Sequence, residues 1–339
     1  MLFNIVNQMR SRIYTIEAFL RLYEVIDSPL LDAPQKAALE LLSLPRSNMI
    51  DEKMFRHCSV VGRLYAVYEN FVEDLLVYWY TKLPCYFKHE ELNESFKSKY
   101  RVGISKLVKD IDKRRYKHLV LDHILETYLK GISNNPPWAI VSDALILHET
   151  NLRRNELESL FCCTGIDGYW AMLEKSEDIA DYIESYDSET SLEKLIENFV
   201  NIRNEAVHGA PDELLGIEEL KSWVRFILIV CASMANIIML KIIQNQTMLI
   251  PDICIGRVIE KFRNNIVVAL CKNGKLDLNQ DIFAVRPTSI VFAKIISLQV
   301  NDRDVETISF DGNEVEVGIK TNVELQRDAT IFGVNVFNA

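Results

Sequence analysis

Apolar residues recur at every third and fourth position through most of the first 247 residues. The pattern holds in Ile13–Ile26, Leu64–Trp79, Lys117–Leu129, Leu192–Val207 and Phe226–Leu240, and predicts a succession of amphipathic helices. Helix breakers fall between these segments: Pro29 and Pro34, Pro84, the Asn134-Asn135-Pro136-Pro137 run, Gly165 with Gly168, and Gly209 with Pro211. Beyond Pro251 the texture changes to short β-branched runs, Ile296–Val300, Thr307–Phe310, Glu314–Ile319 and Thr330–Val334. Turn-forming clusters separate them at Lys272-Asn273-Gly274, at Asn301-Asp302-Arg303-Asp304 and at Asp311-Gly312-Asn313. The expected fold class is multidomain α+β. An all-α helical bundle occupies residues 1–247, and a small antiparallel β-barrel occupies residues 252–339.

Composition narrows the function classes. With 49% hydrophobic and 25% charged residues over 339 positions, the chain has the balance of a globular protein with a real core. The formal charge of -10 means that no global basic field draws it to nucleic acid or to an anionic membrane, so an RNA site must be a local patch. Seven cysteines without a C-x-x-C pair read as reduced thiols of a cytoplasmic protein, with Cys162-Cys163 packing at a helix end. The N-terminus is interrupted by Asn7, Arg10 and Arg12, which suits an amphipathic helix and not a signal sequence. Phe226–Leu240 is the one apolar run that invites a membrane reading. As a helix it reaches about 22 Å, short of the ~30 Å hydrocarbon core, and a helix buried in a bundle is expected with no membrane partner.

The candidate chemistry sits at the end of one helix. In Leu192–His208 an inward stripe of Leu192, Leu195, Ile196, Phe199 and Val200 continues into Arg203, Asn204, Val207 and His208. Asn204 and His208 are four apart, so about 40° separates them around the axis, and the long side chain of Arg203 can curl toward the same place. Gly209 and Pro211 place the imidazole at a helix C-terminus. A guanidinium, an amide and an imidazole without metal ligands suit metal-free RNA cleavage. The ribose 2′-OH attacks the adjacent phosphate, the imidazole moves a proton, and the cation stabilises the added negative charge. One His cannot easily serve both the attacking and the departing oxygen, which makes a homodimer part of the expectation.

Other residues bear on the same chemistry. Glu69 lies on the apolar face of the Leu64–Trp79 helix, where it either pairs with Arg203 or sits on a solvated boundary. The stretch Lys97–His118 is the one dense basic region, and Lys97, Lys99, Arg101, Lys113, Arg114 and Arg115 either track an RNA backbone, with Tyr100 and Tyr116 stacking bases, or form a solvated face. His118 with Asp122, His123 and His148-Glu149 match no metal-site spacing, and no phosphate-loop, dinucleotide or hydrolase-elbow motif occurs, so no metal or cofactor is expected.

Two resemblances extend this reading. Arg203-Asn204-Glu205-Ala206-Val207-His208 resembles the R-x4-6-H motif of HEPN ribonucleases, and the segments Leu64–Leu75 and Asn151–Phe161 resemble parts of the MAE-like HEPN branch. Over residues 1–245 the resemblance implies a helical bundle, dimerisation, metal-independent endoribonuclease activity with the Arg and His sharing a cleft across the dimer, and a role as a toxin or antiviral effector. The alternatives are a non-catalytic RNA- or protein-binding adaptor and a toxin held inactive by an antitoxin-like partner. Residues 252–338, with Gly274-Lys-Leu-Asp-Leu-Asn-Gln-Asp281 and Val315-Glu-Val-Gly-Ile319, are similar to the second-domain barrel of elongation factor Tu and its relatives. In that barrel type Gly is usual where Asn279 stands, a turn position that Asn tolerates. The resemblance implies a docking module for RNA or protein.

Overall fold

The structure is a computed structural model, described for residues 2–27, 49–146, 150–162, 165–166, 168–186, 189–208, 211, 213–287 and 289–333. Pro29, Pro34, His148-Glu149, Cys163 and Gly209 lie outside them. Among the described residues there are nine α-helices: α1 (Leu2–Asp27), α2 (Met49–Tyr86), α3 (Glu94–Asp110), α4 (Leu121–Ile132), α5 (Arg154–Cys162), α6 (Tyr169–Glu174), α7 (Glu177–Tyr186), α8 (Leu192–His208) and α9 (Ile217–Leu249). Seven strands follow: β1 (Cys254–Lys261), β2 (Ile266–Asp277), β3 (Asp281–Arg286), β4 (Ser289–Val300), β5 (Arg303–Val305), β6 (Thr307–Thr321) and β7 (Thr330–Gly333). The chain divides into two compact units, Met1–Glu174 with Asp178–Ala235, and Lys175–Glu177 with Asn236–Ala339.

The helical unit is organised around α2. Its row of buried aromatics and aliphatics (Leu64, Tyr65, Tyr68, Phe71, Val72, Leu75) presents one face to α8. There Phe199 packs on Tyr65 and Tyr68 with ring centroids 6.0 and 6.2 Å apart. Another part of α2 packs on α1, which buries Met9, Ile13, Ile16 and Leu20. Gly103 lets α3 lie directly on the 142–144 turn, because a Cβ there would meet the Ala144 carbonyl oxygen at 1.8 Å. Among the described residues one helix, α9, is long and apolar enough to cross a membrane, and 67% of its most apolar stretch is buried inside the protein. Its Phe226, Ile227, Val230, Cys231 and Met234 are buried, as expected of a core helix.

The C-terminal unit is a closed antiparallel barrel. Six strands run in the order β3-β7-β1-β2-β6-β4, and pairing of β3 with β4 closes the ring, with β5 appended to β4. The interior is small and aliphatic, including Val258, Ala269, Ile282, Ala293, Ile295, Val317 and Ile331. Of the expected turn Asn301–Asp304, Asn301 and Asp302 form it, both at positive φ (50° and 61°), whereas Arg303 and Asp304 already pair as β5 with Val300 and Gln299. Asn279 also takes positive φ, 64°. Two expected turns are instead bends inside strands. Lys272-Asn273-Gly274 lies within β2 and Asp311-Gly312-Asn313 within β6, where the register slips between Cys271 and Asn273. Gly274 and Gly312, at φ 74° and 98°, supply the positive φ that such a bulge demands. Thr307–Phe310 and Glu314–Ile319 are therefore one strand.

Candidate active site

The site begins with how α8 is held. Ser191 Oγ accepts from Lys194 N at 3.3 Å and caps the helix start. Leu192, Leu195, Ile196, Phe199 and Val200 are buried, and Phe199 is wedged between the α2 tyrosines and Trp223 of α9. One turn later the inward face carries Arg203 and Asn204, both half-buried, in place of aliphatics. Ala206 then closes the core, while Val207 and His208 are exposed.

A short segment leading into the first residue of α5 clamps this helix. Arg153 donates to Glu197 at 2.9 Å and to Asn201 at 2.7 Å, and Arg154 donates to Glu193 at 2.6 Å. Asn151 meets Asn204, so residues 151–154 are fastened to α8 at positions 193, 197, 201 and 204, one face of the helix. Two α2 tyrosines hold the segment from behind: Tyr65 OH accepts from Leu152 N and Tyr68 OH donates to Leu152 O, each at 3.1 Å. Burial pushes both phenols above their ordinary values, so each stays protonated and able to donate.

At the centre of this clamp lies Arg203. Its Nη1 donates to Asn151 Oδ1 at 3.2 Å and to Asn204 Oδ1 at 3.1 Å. Asn151 Nδ2 also donates to Asn204 Oδ1 at 2.9 Å, and Tyr65 OH donates to Asn151 Oδ1 at 3.3 Å. The Arg203 guanidinium carbon sits 4.5 Å from the centroid of the Tyr65 ring. Three elements thus hold one cation. The remaining guanidinium N–H groups and the Asn204 Nδ2 donors bond to nothing among the described residues and are free for an anion. The chain belongs to the RiboL-PSP-HEPN family.

The family model for RiboL-PSP-HEPN matches residues 35–240, which include α2, the 151–154 clamp and α8. No curated protein matches the chain. HEPN membership points to an RNase or RNA-binding function, in a domain type that is typically a nuclease. The matched HEPN family is RiboL-PSP-HEPN, where the 64–75 and 151–161 segments had pointed to the MAE-like branch.

Of the residues singled out from the HEPN motif, Arg203 and Asn204 are in direct contact, and His208 is exposed at the helix end with no hydrogen bond among the described residues. Glu69 is half-buried beside Tyr65 but makes no ion pair with Arg203, whose bonds go to the two asparagine oxygens. Asn151 and Tyr65 are the site residues that spacing along the sequence did not reveal. The basic stretch is partly internally satisfied. Lys97 pairs with Glu94 at 3.0 Å, Lys99 donates to Ser159 O at 3.1 Å, and Lys113 pairs with Asp110 at 2.8 Å. Arg101, Arg114 and Arg115 are exposed, and Arg115 lies over Tyr116. The expected base stacking by Tyr100 and Tyr116 does not hold. They are 0% and 5% exposed, and Tyr100 OH accepts from Val141 N at 2.9 Å: the period of α3 turns Tyr100 into the core, and the short 3-10 turn Arg114–Tyr116 buries Tyr116. Among the described residues no group of three or more His, Cys, Asp or Glu is placed to hold a metal, and His118 pairs with Asp143 at 3.0 Å.

Proposed function

We propose that the protein is a metal-independent endoribonuclease that acts as a homodimer. The single observation that carries this reading is the fixed Arg203: a cation oriented by Asn151, Asn204 and the Tyr65 ring, on the helix that ends with an exposed His208. Arg203 with Asn204 binds the non-bridging oxygens of the scissile phosphate and stabilises the charge that develops as the 2′-OH attacks. His208 moves the proton, either from the 2′-OH or to the departing 5′ oxygen, and the products end in a 2′,3′-cyclic phosphate and a 5′-OH. Along one helix, residues five apart diverge by about 140°, so Arg203 and His208 of one chain flank opposite sides of α8. Two helix tips related by a two-fold axis bring a cation and an imidazole to one linkage, and supply one His for each end of the reaction. The barrel serves as the docking module, and the exposed Arg101, Arg114 and Arg115 contribute salt-sensitive contact with the RNA backbone. The biological setting that suits a self-contained RNA-cutting dimer is growth arrest or antiviral defence, with a partner protein restraining it.

The test is incubation of the purified chain with total cellular RNA in excess chelator, followed by mapping of the ends. Cleavage with cyclic-phosphate termini is expected from the wild type. Arg203→Ala and His208→Ala each reduce it at least ~1000-fold, the scale of losing a charge stabiliser or a proton-transfer group. The exposed His208→Ala keeps a native melting curve, and Arg203→Ala remains folded by circular dichroism at the assay temperature. A wild type that cuts nothing, or variants that cut as well as it does, overturn the reading.

A further inference from the structure

We propose that the cavity between α8 and the start of α9 is a nucleobase pocket that seats a guanine of single-stranded RNA beside His208, an inference that rests on the ribonuclease reading above. The cavity measures about 630 Å³ and is lined by Asn198, Asn201 and Glu205 of α8, Ser222 and Trp223 of α9, and Tyr186 at the end of α7. That volume lies within the range of ordinary small-ligand sites. Asn201, Glu205 and His208 are spaced four and three residues apart, hence on one face of the helix. A base held at Glu205 therefore lies one helical turn from the candidate imidazole. Side chains so spaced start roughly 5–6 Å apart, a span that the ribose between a base and its phosphate can bridge.

The lining selects the ligand. Three carboxylates reach the cavity, and two are already engaged: Glu219 accepts from Gly216 N at 2.7 Å, and Glu218 pairs with Lys221 at 3.0 Å. Glu205 is half-buried and makes no hydrogen bond or ion pair among the described residues. Glu205 interacts electrostatically with the buried His57, whose Nδ1 accepts from Leu215 N at 3.1 Å, so the ring proton sits on Nε2; burial favours this neutral ring. Among the described residues that Nε2 has no hydrogen-bond partner, so it does not bond Glu205. A partly desolvated carboxylate of this kind is stabilised by a ligand that brings N–H donors and no negative charge. A phosphate is excluded and a base edge is favoured. Guanine offers N1–H and N2–H side by side, a match for the two oxygens of one carboxylate. In uracil the lone N3–H is flanked by two carbonyl oxygens that a carboxylate repels. In single-stranded RNA this edge is free to be read. Asn201 accepts from Arg153 through Oδ1, which leaves its Nδ2 to donate to guanine O6. Tyr186 is 52% exposed and lies nearly parallel to Tyr182 at 6.0 Å, so among the described residues its other face is left to stack on the base.

The experiment uses the full chain carrying His208→Ala, which binds without cutting, and fluorescent pentaribonucleotides of uridine with G, A, C or U at the centre. The G-centred oligomer is expected to bind roughly ten- to hundredfold tighter than the all-uridine one, the worth of a bidentate base contact. Adding Glu205→Gln removes that preference with an unchanged melting curve. Tyr186→Ala is a second probe that leaves α8 intact and weakens the G-centred oligomer as well. In parallel, the wild type cuts next to guanines, whereas Glu205→Gln alone still cuts but without base preference. Equal binding of all four oligomers, or a guanine preference that survives Glu205→Gln, overturns the proposal. Guanine-selective binding in a chain that cuts no RNA leaves the pocket standing and removes only the nuclease reading.

Discussion

Asn151 accepts from Arg203 and from Tyr65 through one oxygen and donates to Asn204 through its amide nitrogen, so a single side chain ties the cation, the neighbouring amide and the α2 phenol together. Truncation to alanine removes three hydrogen bonds at a partly buried position and leaves the Tyr65 hydroxyl proton without its acceptor. Asn151→Ala is expected to cost about 1–3 kcal/mol of stability. It should also lower the cleavage rate roughly tenfold or more, because the guanidinium loses its fixed aim. Urea melts read the first effect and single-turnover cleavage the second; a stability loss with unchanged single-turnover rate shows Asn151 to be structural only. Arg203 and His208 could be read in the sequence because both lie on one helix at a fixed spacing. Asn151 stands 52 residues before Arg203 and Tyr65 further still, and no local periodicity links them. Tyr100 and Tyr116 failed as stacking residues for the converse reason: a charge-rich stretch hides which of its aromatics turn inward.

At the scale of elements, the connection between α8 and α9 is anchored from α2. His57, 2% exposed, accepts from Leu215 N, and burial lowers its pKa, with the Glu205 charge pulling weakly the other way. The folded state therefore holds fewer protons at this site than the unfolded chain. The contribution is fully present above the unfolded imidazole value of about 6.5 and is lost as pH falls below it. Lowering the pH from 7.5 to 5.5 should destabilise the wild type more than His57→Gln, which keeps an acceptor but does not titrate. Parallel loss of melting temperature in both proteins counts against the anchor. Helices and strands were legible where period and composition agreed. The β2 and β6 bends were not, because Asn-Gly and Asp-Gly-Asn sequences have the same composition whether they reverse the chain or bulge it.

For the whole molecule, the question is whether one chain suffices. If each cleft draws on both protomers, mixing Arg203→Ala protein with His208→Ala protein under conditions of subunit exchange creates mixed dimers with one intact Arg and one intact His. Partial recovery of cleavage over either variant alone is expected, scaling with the fraction of mixed dimers measured by mass spectrometry. No recovery despite exchange argues for a site complete within one chain. The motif near one helix end is legible in the sequence, and the homodimer remains an expectation drawn from its single His, which the subunit-exchange experiment tests.

The ring of strands carries a consequence of its own. Because β7 is wedged between β1 and β3, a chain clipped just after Thr321 loses a stave and not a tail. Two rows of amide and carbonyl groups then lie bare along an open seam, ready to recruit a strand from another molecule. Proteolytic nicking near the C-terminus should therefore turn a well-behaved protein into one that clumps.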